Sequence, residues 1–151
     1  MIGLLQRVNR ASVEVDGKLV ATIARGLVVF VGIERGDEET QAERLLERLL
    51  AYRVFPDEDG RMNHDLREIH GGLLLVPQFT LAADTRKGNR PGFALAASPE
   101  EGKRLFLYLC AQAGRIYSET HHGIFGADMQ VALVNDGPVT FWLRVSPDLE
   151  A

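Results

Sequence analysis

The run Leu27-Val28-Val29-Phe30-Val31-Gly32-Ile33 is apolar at every position, with no polar residue to face water. That is the pattern of a strand buried on both faces, so the chain must cover one sheet from two sides. Gly72 to Phe79 gives a second apolar strand. Ahead of them, Ser12-Val13-Glu14-Val15 alternates polar and apolar and breaks at Asp16-Gly17, a strong hairpin signal. Residues 1–35 therefore read as strands.

Asp37 is placed to cap a helix in which Ala42, Leu45, Leu46, Leu49 and Leu50 follow helical spacing, with Glu43, Arg44, Glu47 and Arg48 on the wet face. Arg53-Val54-Phe55 reads as a short strand and Pro56 to Gly60 as a turn. Ser98-Pro99-Glu100-Glu101 is a second helix start: a capping Ser, Pro at the first helical position, and Glu three residues after the Ser. Leu105, Phe106, Leu109, Cys110 and Ala113 form its apolar face. Arg115–Ser118, Met129–Val134 and Val139–Val145 are strand-like. Helices lie between β-rich ends, so the expected fold is α+β. It is a compact, β-rich domain spanning 1–151, with mixed or antiparallel strands in barrel-like layers and two main helices on the sheet.

The chain has 151 residues, 46% of them hydrophobic and 25% charged, which is ordinary for a soluble domain with a real core. No apolar run approaches the ~20 residues of a membrane span, and the start carries no signal-peptide pattern. The lone Cys110 excludes an intrachain disulfide and fits the cytoplasm. A net charge of −4 argues against general binding to nucleic-acid backbone, though a small contact with an RNA end needs few cations.

Familiar hydrolytic machinery is missing. There is no Gly-x-Ser-x-Gly elbow, no His-Glu-x-x-His helix and no Gly-x-x-x-x-Gly-Lys-Ser/Thr loop. His64, His70, His121 and His122 read as exposed loop residues, so neither metal nor cofactor is expected. Two segments remain. Pro77-Gln78-Phe79-Thr80 puts an amide and a hydroxyl at the end of an apolar strand, where backbone N–H groups would stabilise an oxyanion. A bland alternative is that Thr and Phe simply favour strands. Asn135-Asp136-Gly137-Pro138-Val139-Thr140 puts Gly-Pro between two strand-like runs. It reads as a hairpin turn, or as a place where a ligand approaches backbone closely. Arg86, Lys87 and Arg90 lie in an irregular basic loop, either solvated charge or phosphate contacts.

The motifs co-occur in a specific way. Gln6-Arg7-Val8, Tyr52-Arg53-Val54-Phe55, Gln78-Phe79-Thr80-Leu81-Ala82-Ala83-Asp84, Arg90-Pro91, Ala97-Ser98-Pro99, Phe125-Gly126-Ala127-Asp128-Met129-Gln130-Val131 and Asn135-Asp136-Gly137-Pro138-Val139-Thr140-Phe141 lie in one order along the chain. Along essentially its full length the chain resembles the D-aminoacyl-tRNA deacylase family. The resemblance implies hydrolysis of the ester between a D-amino acid and the 3′-terminal adenosine of tRNA. It implies a cytoplasmic homodimer with its active site at the subunit interface, where a cis Gly137–Pro138 enters the partner's pocket and excludes L side chains by collision. Gln78, Phe79 and Thr80 would form the catalytic corner, with backbone amides on the oxyanion and the ribose 2′-hydroxyl assisting attack. Arg7 and Met129 would support the Gly-Pro loop, Pro77 would edge the pocket, and Arg86, Lys87 and Arg90 would meet tRNA. Pro77 stands where the family usually has Ser, and His122 where it often has Thr. The alternatives are the same hydrolysis with relaxed chirality, accepting glycyl or L-alanyl esters, and a non-catalytic dimeric nucleic-acid-binding module.

Overall fold

The computed structural model describes residues 1–147. Strand β1 (Ile2–Val15) turns into β2 (Lys18–Ile23) through Asp16 and Gly17, at φ +52° and +75°. Left-handed conformations at both positions match the twist of a two-residue hairpin, and Gly17 adopts its one at no steric cost. Strand β3 (Gly26–Gly32) pairs antiparallel with the first half of β1, Ile2 to Val8, while β2 pairs with the second half, Ala11 to Val15. The last strand, β8 (Gln130–Arg144), runs antiparallel to β1 along nearly its whole length. A strand has two edges. Residues of β1 that pair with β3 or β2 also pair with β8, so β2 and β3 share one edge and β8 takes the other.

The sheet continues through parallel pairs. Strand β6 (Gly72–Pro77) lies parallel to β3 with Leu27 opposite Leu73, and β7 (Thr120–His122) lies parallel to β6. Parallel neighbours need crossovers. Helix α1 (Glu39–Ala51) lies in the first and α2 (Pro99–Ile116) in the second, and the two helices pack together. A small hairpin of β4 (Phe55–Pro56) and β5 (Met62–His64) follows α1.

The double burial expected of Leu27–Ile33 is present. Leu27, Val29 and Val31, with Leu73 and Leu75, face α1 and α2 in one core; Val28, Leu74 and Val76 face a second core with Val8, Ala11, Val13, Ala21 and Ile23. The second core is closed by β2 and the far half of β1, so the sheet curls over itself. The mixed, barrel-like α+β arrangement is as the pattern implies.

Several local expectations are corrected. Asp37 does not cap α1. Its carboxylate takes the Met1 ammonium at 2.7 Å and the Glu34 N–H at 2.8 Å, and a buried cation is a stronger partner than a helix-end amide. Glu38 is the N-cap, its N–H held by the Gln41 side chain at 2.8 Å. Arg53 and Val54 are not strand; the Val54 carbonyl is taken by Arg7 instead. Arg115 and Ile116 finish α2, the Tyr117 N–H still bonding to Ala113 O, and the strand begins only at Thr120. His121 and His122 therefore lie on β7 rather than in a loop. Strand β6 stops at Pro77, and Phe79–Ala82 form a 3-10 turn. Finally, Asn135–Thr140 is no hairpin: β8 pairs with β1 both before and after it.

Candidate active site

The corner after β6 begins with the Gln78 N–H bonded to Val31 O at 2.8 Å, beyond which the chain leaves the sheet. It turns at once, with Leu81 N bonded to Gln78 O at 3.2 Å and Ala83 N to Thr80 O at 3.1 Å. Gly32 makes room for this. A Cβ there would sit 2.9 Å from Leu81 Cβ and 3.2 Å from Gln78 O. The N–H groups of Phe79 and Thr80 open the turn and have no acceptor among the described residues. The Gln78 side-chain amide donates to Thr80 Oγ1. No histidine or carboxylate bonds to that hydroxyl among the described residues, so Thr80 lacks the adjacent base of an activated nucleophile. The one thiol, Cys110, is buried on α2 and its pKa is pushed up to about 12 by burial, which fits a core residue.

Two cavities flank this corner. One, of about 340 Å³, is lined by Pro77, Gln78, Phe79, Phe125, Asp128 and Met129. The other, of about 260 Å³, is apolar, with Val31, Ile33, Pro77, Gly102, Phe106 and Phe125 in its wall. Met129 closes over Gly123, where a Cβ would lie 2.7 Å from its sulfur. A larger space of about 720 Å³ lies between the starts of α1 and α2, but Glu34, Asp37, Glu38, Glu39 and Glu101 make it hostile to an RNA phosphate.

The Gly137–Pro138 segment stands apart. Gln6 lies opposite Thr140 and Val8 opposite Asn135, so Arg7 alone faces four residues, 136 to 139, which bulge out of β8. The Gly137–Pro138 peptide is cis, and both residues are exposed. Arg7 fixes the bulge. Its Nε reaches the Asp136 carboxylate at 3.0 Å and Asp136 O at 3.2 Å, while Nη1 donates to Val54 O at 2.7 Å. Asn135 Nδ2 donates to Arg7 O at 2.9 Å and to Val139 O at 3.1 Å. A side chain at Gly137 would overlap Asn135 Oδ1, so the amide that closes the bulge would have to shift.

Within one chain, then, Pro77, Gln78, Phe79, Thr80 and Met129 come together, as do Arg7, Gly137 and Pro138, but neither Gly137 nor Pro138 lines a cavity of the first group. Met129 sits with the turn rather than under the chain's own Gly-Pro bulge.

The basic loop is closed by two backbone bonds between Asp84 and Gly92, 2.7 and 3.0 Å. Arg86 folds back on Asp84 with two bonds of 2.8 Å, holding that carboxyl down to about 2. Lys87 and Arg90 are exposed and unpaired among the described residues. Sequence reasoning missed Phe93, whose ring packs on Phe79, and Gly102, which lies in the wall of the apolar cavity where a Cβ would come 3.3 Å from Phe125. Neither lies in a segment whose letters signal chemistry.

Residues 4–144 match the family described as D-Tyr-tRNA(Tyr) deacylase. A D-aminoacyl-tRNA deacylase of Alkalilimnicola ehrlichii is 62% identical over 147 residues, covering 97% of this chain and 98% of that protein. One of Nitrosococcus oceani is 60% identical over 150 residues, 99% of this chain and 97% of its own. Among solved structures, the c-Myc DNA Unwinding Element Binding Protein superposes with a TM-score of 0.92 at 37% identity, over 97% of this chain and 99% of that one. A probable eukaryotic D-amino acid tRNA deacylase shares the fold, with a TM-score of 0.80 at 17% identity over 94% and 97%.

Proposed function

The chain belongs to the D-Tyr-tRNA(Tyr) deacylase family, and we propose that its reaction, hydrolysis of the ester joining a D-amino acid to the 3′ end of tRNA, takes place at the Phe79–Thr80 turn. The observation that carries this is the pair of acceptor-free N–H groups opening that turn beside a cavity. Donors fixed before the reaction act on charge that develops only in the transition state, and so lower the barrier rather than merely binding substrate. Water attacks the ester carbonyl, whose oxygen becomes the oxyanion between the two amides; when the intermediate collapses, the bond from the acyl carbon to the 3′-oxygen of the adenosine breaks, and that oxygen leaves with the proton the water gives up. The neighbouring ribose 2′-hydroxyl assists the attack, which is why no side-chain base is needed. Gln78 holds the Thr80 hydroxyl in place, where it orients the substrate.

The chiral filter would come from a second copy of the chain. Supporting this, Gly137 and Pro138 protrude from β8, whose outer edge is unpaired among the described residues and whose Trp142 is 55% exposed. A long uncovered edge strand invites pairing. In such a homodimer the partner's bulge would meet the cavity beside Pro77, Phe79 and Met129 and present backbone to the substrate's chiral carbon. An L side chain would strike it; a D side chain would point away. Lys87 and Arg90, with Arg86 partly neutralised by Asp84, would meet the phosphates near the tRNA end. No helix among the described residues is long and apolar enough to cross a membrane; a tRNA substrate supports a cytoplasmic site for the reaction.

Deacylation of D-tyrosyl-tRNA beside L-tyrosyl-, glycyl- and L-alanyl-tRNA tests this. Loss of the D ester with the L-tyrosyl ester intact is the expected result. Loss of L-alanine as well would show that Pro77 has opened the filter, and binding of RNA without hydrolysis of any ester would overturn the enzymatic assignment.

A further inference from the structure

Phe79 leaves 57% of its surface exposed and Phe93 leaves 41%. Their rings meet with centroids 5.2 Å apart and planes inclined at 52°. So little burial makes the pair a minor contributor to stability. Its placement says more. Phe93 follows Gly92, which is tied to Asp84 by two backbone hydrogen bonds. Two residues later Leu95 O accepts from Arg35 N at 2.9 Å, and Ala97 N donates to Ile33 O at 3.0 Å. Phe93 is thus anchored on both sides, to the segment that follows the 3-10 turn and to the chain leaving β3. Phe79 is tied to the sheet on one side only, through the Gln78 N–H to Val31 O at 2.8 Å. Its own N–H is free, and it begins a single 3-10 turn, a geometry with weak hydrogen bonds. The ring of the fixed residue rests against the ring of the less fixed one.

We propose that Phe93 is a positioning residue for deacylation: its ring braces Phe79 so that the Phe79 and Thr80 amides keep their aim. This rests on the assignment of the oxyanion to those two amides.

Single-turnover deacylation of D-tyrosyl-tRNA tests it, together with the backbone amide resonances of the free protein. Phe93→Ala is expected to lower the saturating rate constant about tenfold, less than the ~100-fold of losing an oxyanion donor outright. The half-saturating concentration should stay within about twofold, since ground-state binding is untouched. Phe93→Tyr keeps the ring and is expected to restore the rate constant. The Phe79 and Thr80 amide resonances should move in Phe93→Ala and return in Phe93→Tyr. Unmoved resonances overturn the brace, whether or not the protein turns over substrate. A loss seen only in half-saturation overturns it too, because the ring would then be a substrate contact. Moved resonances with an unchanged rate constant would leave the brace standing as structure, overturn its catalytic role, and point the failure at the oxyanion assignment.

Discussion

Asn135 Nδ2 donates to Val139 O at 3.1 Å, spanning the residues that carry Gly137 and Pro138. The same nitrogen bonds to Arg7 O on β1, so one side chain closes the bulge and fastens it to the sheet. Asn135→Ala removes both bonds and is expected to cost about 1–3 kcal/mol of stability, read from the denaturant midpoint. If the bulge is the chiral filter, the ratio of D-tyrosyl to L-tyrosyl deacylation should fall with it. An unchanged ratio in a folded variant would remove Asn135 from the filter.

Thr80 has an amide partner and no base beside it among the described residues. Thr80→Ala is therefore expected to slow deacylation of D-tyrosyl-tRNA by about tenfold, the scale of a lost orienting contact, rather than to abolish it. Mass spectrometry of the quenched reaction should show no acylated protein. An adduct on Thr80 would establish covalent catalysis in place of the orienting role.

The loop carrying Lys87 and Arg90 depends on ionised Asp84. Its carboxyl sits at about 2 against an ordinary 3.8, because Arg86 and the Arg86 N–H bond to it. A lowered folded-state value means stabilisation that is present above 3.8 and lost as pH falls through about 2. Carbon-13 titration of the Asp84 carboxyl should find that low midpoint, with the Gly92 amide losing protection over the same range. A midpoint near 3.8 would show the Arg86 pair is not formed in solution.

Among the described residues Lys87 and Arg90 have no ion-pair partner, where Arg86 is occupied by Asp84. Replacing either free cation by Ala is expected to flatten the salt dependence of tRNA binding by about 0.7 in log–log slope, with Arg86→Ala changing it less. Equal slopes for all variants would take the loop out of the RNA contact.

Much of this was legible in the letters. Apolar runs buried on two faces, a left-handed Asp-Gly turn and two helix stripes each carry a local physical signature. The errors fall where a tertiary partner overrode a local preference. Asp37 carries a good cap side chain but is recruited by the Met1 ammonium. Val54 is a strand former whose carbonyl is claimed by Arg7, which is 47 positions away in sequence. Asn135-Asp136-Gly137-Pro138 has hairpin chemistry, yet both flanks pair with β1, and only the register of Gln6 and Val8 reveals a bulge. The residues proposed for the site were singled out because their motif was recognisable, and the fold brings Pro77, Gln78, Phe79 and Met129 to one cavity. Phe93 was not, because its importance lies wholly in what it touches.

Gly32 offers the sharpest test of how β3 sets the Phe79–Thr80 turn proposed to hold the oxyanion. A methyl group there would meet Leu81 Cβ at 2.9 Å and Gln78 O at 3.2 Å, so backbone and not merely a flexible side chain would have to move. Gly32→Ala is expected to cost about 1–3 kcal/mol by overpacking. It should also displace the Phe79 and Thr80 amides and slow deacylation well beyond what the stability loss explains. Gly114, exposed in α2 with nothing within 4 Å of an added Cβ, is the control. Gly114→Ala should raise stability by about 0.5–1 kcal/mol through helix propensity alone and leave the rate unchanged. A Gly32→Ala protein that is folded and fully active would mean that the turn does not need its present seat on β3, and with it that the Phe79 and Thr80 amides are not the groups that set the rate.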